Sequence, residues 1–119
     1  MYKLPKDFDT AFFVGKTLEV VLFSENTVSF GFGDRVSVTA MSSLQHQFPA
    51  ETDQSNVQTV PLSESKLMQL PGHVVTHATG DENGTLTIVF DNGHVLRFFD
   101  DDPHYECYSI SDGKREIYV

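Results

Sequence analysis

The chain has no tryptophan, one cysteine, and only eight lysines and arginines in 119 residues. Each scarcity excludes something. A lone thiol, Cys107, forbids an internal disulfide and suits a reducing compartment. Eight cations against 17 carboxylates give a formal net charge of -9. That balance argues against nucleic acid, whose phosphates need Lys and Arg to displace counterions, and against an anionic membrane surface. Long hydrophobic runs are missing too. Ala11-Phe12-Phe13-Val14 is too short for a signal core and far too short to span a bilayer, so a cytoplasmic protein is expected. No Gly-x-Ser-x-Gly elbow occurs, and no glycine-rich phosphate loop precedes a helix.

What is present is a hydrophobic period of two. Leu18, Val20 and Leu22 with the apolar Val21 and Phe23 make a first strand, Val28, Phe30 and Phe32 a second, and Val36 and Val38 a third. Ser24-Glu25-Asn26 and Gly33-Asp34 turn between them. Residues 43–71 differ. Ser42 to Leu62 are polar and carry Pro49 and Pro61, which predicts a long loop with a short edge strand at Val57 to Val60, and Ser63 to Leu70 then reads as a short helix closed by Pro71-Gly72. Strands then resume at Val74 to Ala78, Leu86 to Phe90, Val95 to Phe99, Tyr105 to Ile110 and Glu116 to Val119, with Asn83-Gly84 and Asn92-Gly93 as turn signals. The expected fold is a single all-β domain over 1–119, an antiparallel β-sandwich of about eight strands with one short helix. Two meanders, 15–42 and 72–119, are joined by 43–71. Thr27 to Asp34 echoes Thr85 to Asn92 in pattern, which raises an internal duplication against the plainer reading that amphipathic hairpins look alike.

The candidates for catalysis and metal binding are weak. Cys107 on an extended strand points away from Glu106, so it reads as a small buried hydrophobe. His73 and His77 share a face on a helix, but on a strand they stand about 13 Å apart, too far for one zinc. No cofactor or metal is expected, and the chain is not expected to be an enzyme. The densest chemistry is acidic. Asp100, Asp101 and Asp102 run together, followed by His104, Tyr105, Glu106 and Tyr108, and a second acidic turn holds Asp81 and Glu82. Carboxylates accept Arg and Lys, and tyrosines supply rigid contact area with a polar tip. The plainer reading is that a tyrosine fills the core and the aspartates cap a hairpin.

Leu86 to Phe90, Asp91-Asn92-Gly93, His94-Val95-Leu96 and then Tyr105-Glu106-Cys107-Tyr108 resemble a pattern in small bacterial immunity proteins of toxin systems, contact-dependent growth inhibition among them. The resemblance covers about a third of the chain and has tyrosine where that pattern often has tryptophan. It implies neutralisation of a cognate toxin in the cytoplasm, most simply a basic nuclease whose phosphate-binding cleft an acidic surface would block. The expected contacts are Asp100, Asp101, Asp102, His104, Tyr105 and Glu106, then Asp81 and Glu82. Two other readings stay open: a β-sandwich with a ligand pocket or an enzymatic site between its sheets, and a scaffold subunit that self-associates through an edge strand.

Overall fold

The structure, a computed structural model, describes residues 1–49, 57–60 and 66–119. Its strands are β1 (Val20–Phe23), β2 (Val28–Gly31), β3 (Val36–Ala40), β4 (Ser43–Gln47), β5 (Val57–Thr59), β6 (Val75–Gly80), β7 (Leu86–Phe90), β8 (Val95–Phe98), β9 (Tyr108–Asp112) and β10 (Glu116–Tyr118). Single 3-10 turns at Thr10–Phe13 and Leu67–Gln69 precede β1 and β6. All the strand pairings are antiparallel. They form two five-stranded sheets, ordered β1-β2-β3-β9-β10 and β5-β4-β8-β7-β6.

The inner strands show the alternation that the sequence predicts. In β3 and β7 every second side chain is buried, and β2 and β8 follow the same rule. Burying one Phe or Leu side chain stabilises by about 1.5–3 kcal/mol, more than the net gain of about 1 kcal/mol from one hydrogen bond. A one-residue slip would put every buried side chain of a strand on the wet face, so burial fixes register. The rings meet between the sheets. Phe30 packs edge-on to Phe98 at 5.3 Å between centroids, and Phe13 meets Phe32 at 5.6 Å.

The echo between halves is topological. Advancing each strand number by five turns the order β1-β2-β3-β9-β10 into β6-β7-β8-β4-β5, which is the other sheet. Phe32 and Phe90, at matching places in the repeated pattern, stack on each other with planes 13° apart. Thr17 and Val74, just ahead of β1 and β6, form a bridge. The chain therefore has an approximate internal two-fold, and each half sends its last hairpin into the other half's sheet.

This exchange corrects the expected pair of separate meanders. The β9–β10 hairpin leaves 72–119 and pairs with β3, while β4–β5 pairs with β8. Other boundaries shift as well. Residues 43–47, expected as loop, are β4. Of the expected helix Ser63 to Leu70, residues 63–65 lie outside the described residues, and the rest forms only the 3-10 turn Leu67–Gln69. The last long strand starts at Tyr108 and not Tyr105, because the Asp102 carboxylate takes the amides of His104 and Tyr105 and folds the chain there. Among the described residues, no helix is long and apolar enough to cross a membrane.

Candidate protein-binding face

Among the described residues the chain crosses between the sheets twice. After β3 it crosses through two residues, Met41 and Ser42; after β8 it takes nine, 99–107. The long crossover is the acidic loop. The two crossovers lie side by side: the Met41 amide donates to the Cys107 carbonyl at 2.8 Å, and the Ser42 hydroxyl donates to the Asp101 carboxylate at 2.7 Å.

The carboxylates of this loop divide by where they point. Asp100 faces inward, its side chain only 4% exposed, and pairs with the amino group of Met1. It also accepts the Lys3 amide at 2.7 Å. Asp102 accepts the amides of His104 at 2.8 Å and Tyr105 at 3.2 Å. The His104 amide chiefly, with that of Tyr105, holds its carboxyl below the usual aspartate value. Both residues build the loop. Asp101, His104, Tyr105 and Glu106 are exposed, Tyr105 at 73%. Cys107 is buried, as expected, but it is no mere filler. Its sulfur accepts the Asp102 amide at 3.3 Å and lies 3.5 Å from both an Asp100 carboxylate oxygen and the Tyr105 carbonyl, so it sits at the centre of the loop.

The second acidic turn lies against the first. Tyr108 is fully buried and its hydroxyl donates to the Gly84 carbonyl at 2.6 Å. Gly84 has φ +87°, and a Cβ there would stand 2.8 Å from Asp100 Cβ, so only glycine fits against the loop. Asp81 spends its carboxylate on the amides of Asn83 at 2.9 Å and Thr85 at 3.0 Å. Glu82 is exposed on the same turn. All eight expected contacts thus gather at one end of the sandwich. Glu82, Asp101, His104, Tyr105 and Glu106 face outward, while Asp81, Asp100 and Asp102 hold the turns in shape.

Two features of this end left no trace in the sequence. One is Ser42, whose role depends on the adjacency of the crossovers. The other is the N-terminal segment, whose Tyr2, Lys3, Leu4 and Phe8 line a cleft of about 490 Å³ with Gly80 and Glu82. Between the sheets, by contrast, space is taken by Phe13, Phe30, Phe32, Phe90, Phe98 and Tyr108, all fully buried. Among the described residues, no three His, Cys, Asp or Glu side chains gather as metal ligands. His73 bonds to Asp91 at 2.8 Å and His77 to Thr76 at 3.2 Å.

The chain belongs to a family of unknown function (DUF6188), which matches residues 10–119. No curated protein and no solved structure matches it.

Proposed function

We propose that this family member is a cytoplasmic binding protein that neutralises a basic partner, an immunity protein for a toxin domain with a cation-lined cleft, most simply a nuclease. One observation carries the reading. Asp101 and Glu106 stand exposed with Tyr105 on a loop that is pinned from within by Asp100, Asp102 and Cys107, and Glu82 stands exposed on the turn packed against it. A fixed array of outward carboxylates around an aromatic anchor suits an arginine- and lysine-rich cleft, since little order is lost on binding. The long acidic crossover also gives this end a charge that the short crossover lacks.

The test expresses the proteins encoded on either side of this chain and asks whether one carries a toxic domain that this chain binds. Equimolar protein is expected to suppress its activity. Glu82→Lys, Asp101→Lys and Glu106→Lys together are expected to weaken binding about a hundredfold at low salt and less at high salt, chiefly through association rate. Equal inhibition by the triple variant would remove this face from the interface. Lack of inhibition by the wild-type chain would end the immunity reading.

One observation favours self-association as a second reading. The edge strand β1 exposes Val20, Leu22 and Phe23, at 45%, 59% and 55%. An apolar exposed edge invites pairing with another strand.

A further inference from the structure

At the other end of the same strands lies a cluster of opposite sign. Val36 pairs with Asp112 and Ala40 with Tyr108, so the β2–β3 and β9–β10 turns stand about 13 Å along β3 from the acidic crossover. These turns carry Arg35, Lys114 and Arg115, three of only eight cations in the chain. Together with Ser111, Gly113 and one carboxylate, Glu116, they line an open cleft of about 300 Å³.

The two turns touch backbone to backbone. A Cβ on Gly113 would lie 2.9 Å from the Asp34 carbonyl oxygen, and Gly113 has φ +93°. The Ser111 hydroxyl ties them further, donating to the Arg35 carbonyl at 3.1 Å. The β2–β3 turn closes with the Val36 amide on the Gly33 carbonyl, with Asp34 and Arg35 both at positive φ, 52° and 64°. Asp tolerates that geometry, but at the second position glycine is the favoured residue. An arginine held there is backbone strain in a place where a glycine would fold better.

Three carboxylates surround the cleft, and each already holds a partner. Asp34 pairs with Lys16 at 3.4 Å. Asp112 accepts the amides of Lys114 at 2.8 Å and Arg115 at 2.9 Å. Glu116 accepts the Tyr118 hydroxyl at 3.0 Å. Arg35, Lys114 and Arg115 form no ion pair among the described residues, although the chain has twice as many carboxylates as cations. Arg115 and Lys114 help to hold the Asp112 carboxyl low, after the amides of the same two residues, but no ion pair among the described residues neutralises the three cations.

The geometry points to an anion-binding site in this cleft, in which Arg35, Lys114 and Arg115 hold a tetrahedral dianion of the phosphoryl class. Arginine forks match the oxygens of such a group, and lysine adds a point charge. The site is independent of the acidic face and of the function proposed for it.

Titration of the whole chain with inorganic phosphate at constant ionic strength, followed by amide NMR, tests the assignment. Saturable shifts are expected at Arg35, Gly113, Lys114 and Arg115, with acetate giving none. Arg35→Gly is expected to weaken phosphate binding about tenfold while the melting temperature rises, because the strain is relieved. Lys114→Ala with Arg115→Ala, which leaves both amides on Asp112, is expected to abolish it. A sugar phosphate and vesicles doped with phosphatidic acid separate a free metabolite from a lipid headgroup as the source. Shifts that do not saturate, that fall elsewhere, or that persist in both variants overturn the site.

Discussion

Tyr108→Phe is the sharpest probe of the acidic end. The ring stays in the core, where it packs 5.8 Å from Phe98, and only the oxygen is lost. That oxygen donates at 2.6 Å to the carbonyl of Gly84, itself buried, and so ties the β6–β7 turn to the start of β9. Leaving a buried carbonyl without its donor costs about 1–3 kcal/mol. For a domain of this size about 2 kcal/mol lowers the melting temperature by roughly 5–10 °C. The substitution has a second signature. Burial above all, then the charges of Asp81 and Cys107, push the Tyr108 hydroxyl pKa far above its ordinary 10.0. A raised folded pKa gives stability that is full below pH 10.0 and is lost as pH rises further, because the unfolded chain ionises first. One such proton difference gives a slope of about 1.4 kcal/mol per pH unit. Tyr118, raised by its hydrogen bond to Glu116, adds a contribution of the same sign. Urea unfolding from pH 8 to 11.5 should therefore show a steep alkaline limb in the wild type and a shallower one in the Phe variant. Equal stability at pH 8 together with equal alkaline slopes would refute the buried bond.

At the acid end the sign reverses. Asp91, held down first by its bond to His73, Asp102, held down first by the His104 amide, and Asp112, held down first by the Arg115 amide, all sit below the usual 3.8. Their contribution is present above pH 3.8 and is lost as pH falls through the folded values, so urea midpoints should drop as pH falls below 3.8; a flat profile there contradicts the hydrogen bonding. Gly84→Ala should destabilise by about 1–3 kcal/mol, since its φ is +87° and its Cβ would meet Asp100, and it should weaken partner binding as well; wild-type stability would show that the two acidic turns do not abut. Leu22→Lys should keep the fold, because Leu22 is 59% exposed, and should abolish any concentration-dependent mass seen by sedimentation; unchanged association would clear β1 of a role.

The sheets were legible wherever burial followed a period of two. Phe30, Val38, Ile88 and Leu96 announce inner strands on their own. β4 did not. Ser43, Gln45, His46 and Gln47 read as loop because polar side chains rarely face a core, yet Gln45 and His46 are buried. Partners far along the chain make this possible: Arg97 donates to Gln45 and Gln47, and His46 bonds His94 at 2.8 Å. No local pattern reports a hydrogen bond to a residue fifty positions away. The exchange of hairpins was hidden for a related reason. Adjacency of β3 and β9 depends on where the crossovers lead, and neither crossover carries a periodic signal. At the candidate site the residue types were visible and their division of labour was not. Asp100 and Asp101 are neighbours in sequence, yet one is turned inward and the other outward.

The internal two-fold makes the acidic loop informative beyond its charge. Both halves face the same task after their third strand, which is to carry the chain from one sheet to the other. Met41 and Ser42 accomplish it in two residues, so the geometry does not require nine. Lengthening such a connection from two to nine costs about 1.3 kcal/mol of closure entropy. Packing three aspartates into it adds repulsion, which the fold offsets with the Met1 amino group, the Ser42 hydroxyl, the Lys3, His104 and Tyr105 amides, and the Cys107 thiol against Asp100. A connection that needs this much internal support contributes little to its own stability. What it yields is an ordered loop that lifts Tyr105 and Glu106 away from the sandwich. Replacing 100–106 by a two-residue link, which keeps Phe99 and Cys107 on their backbone partners, should therefore leave a folded chain that no longer binds its partner. A shortened chain that still neutralises the toxic domain would mean that the recognition surface lies elsewhere on the sandwich.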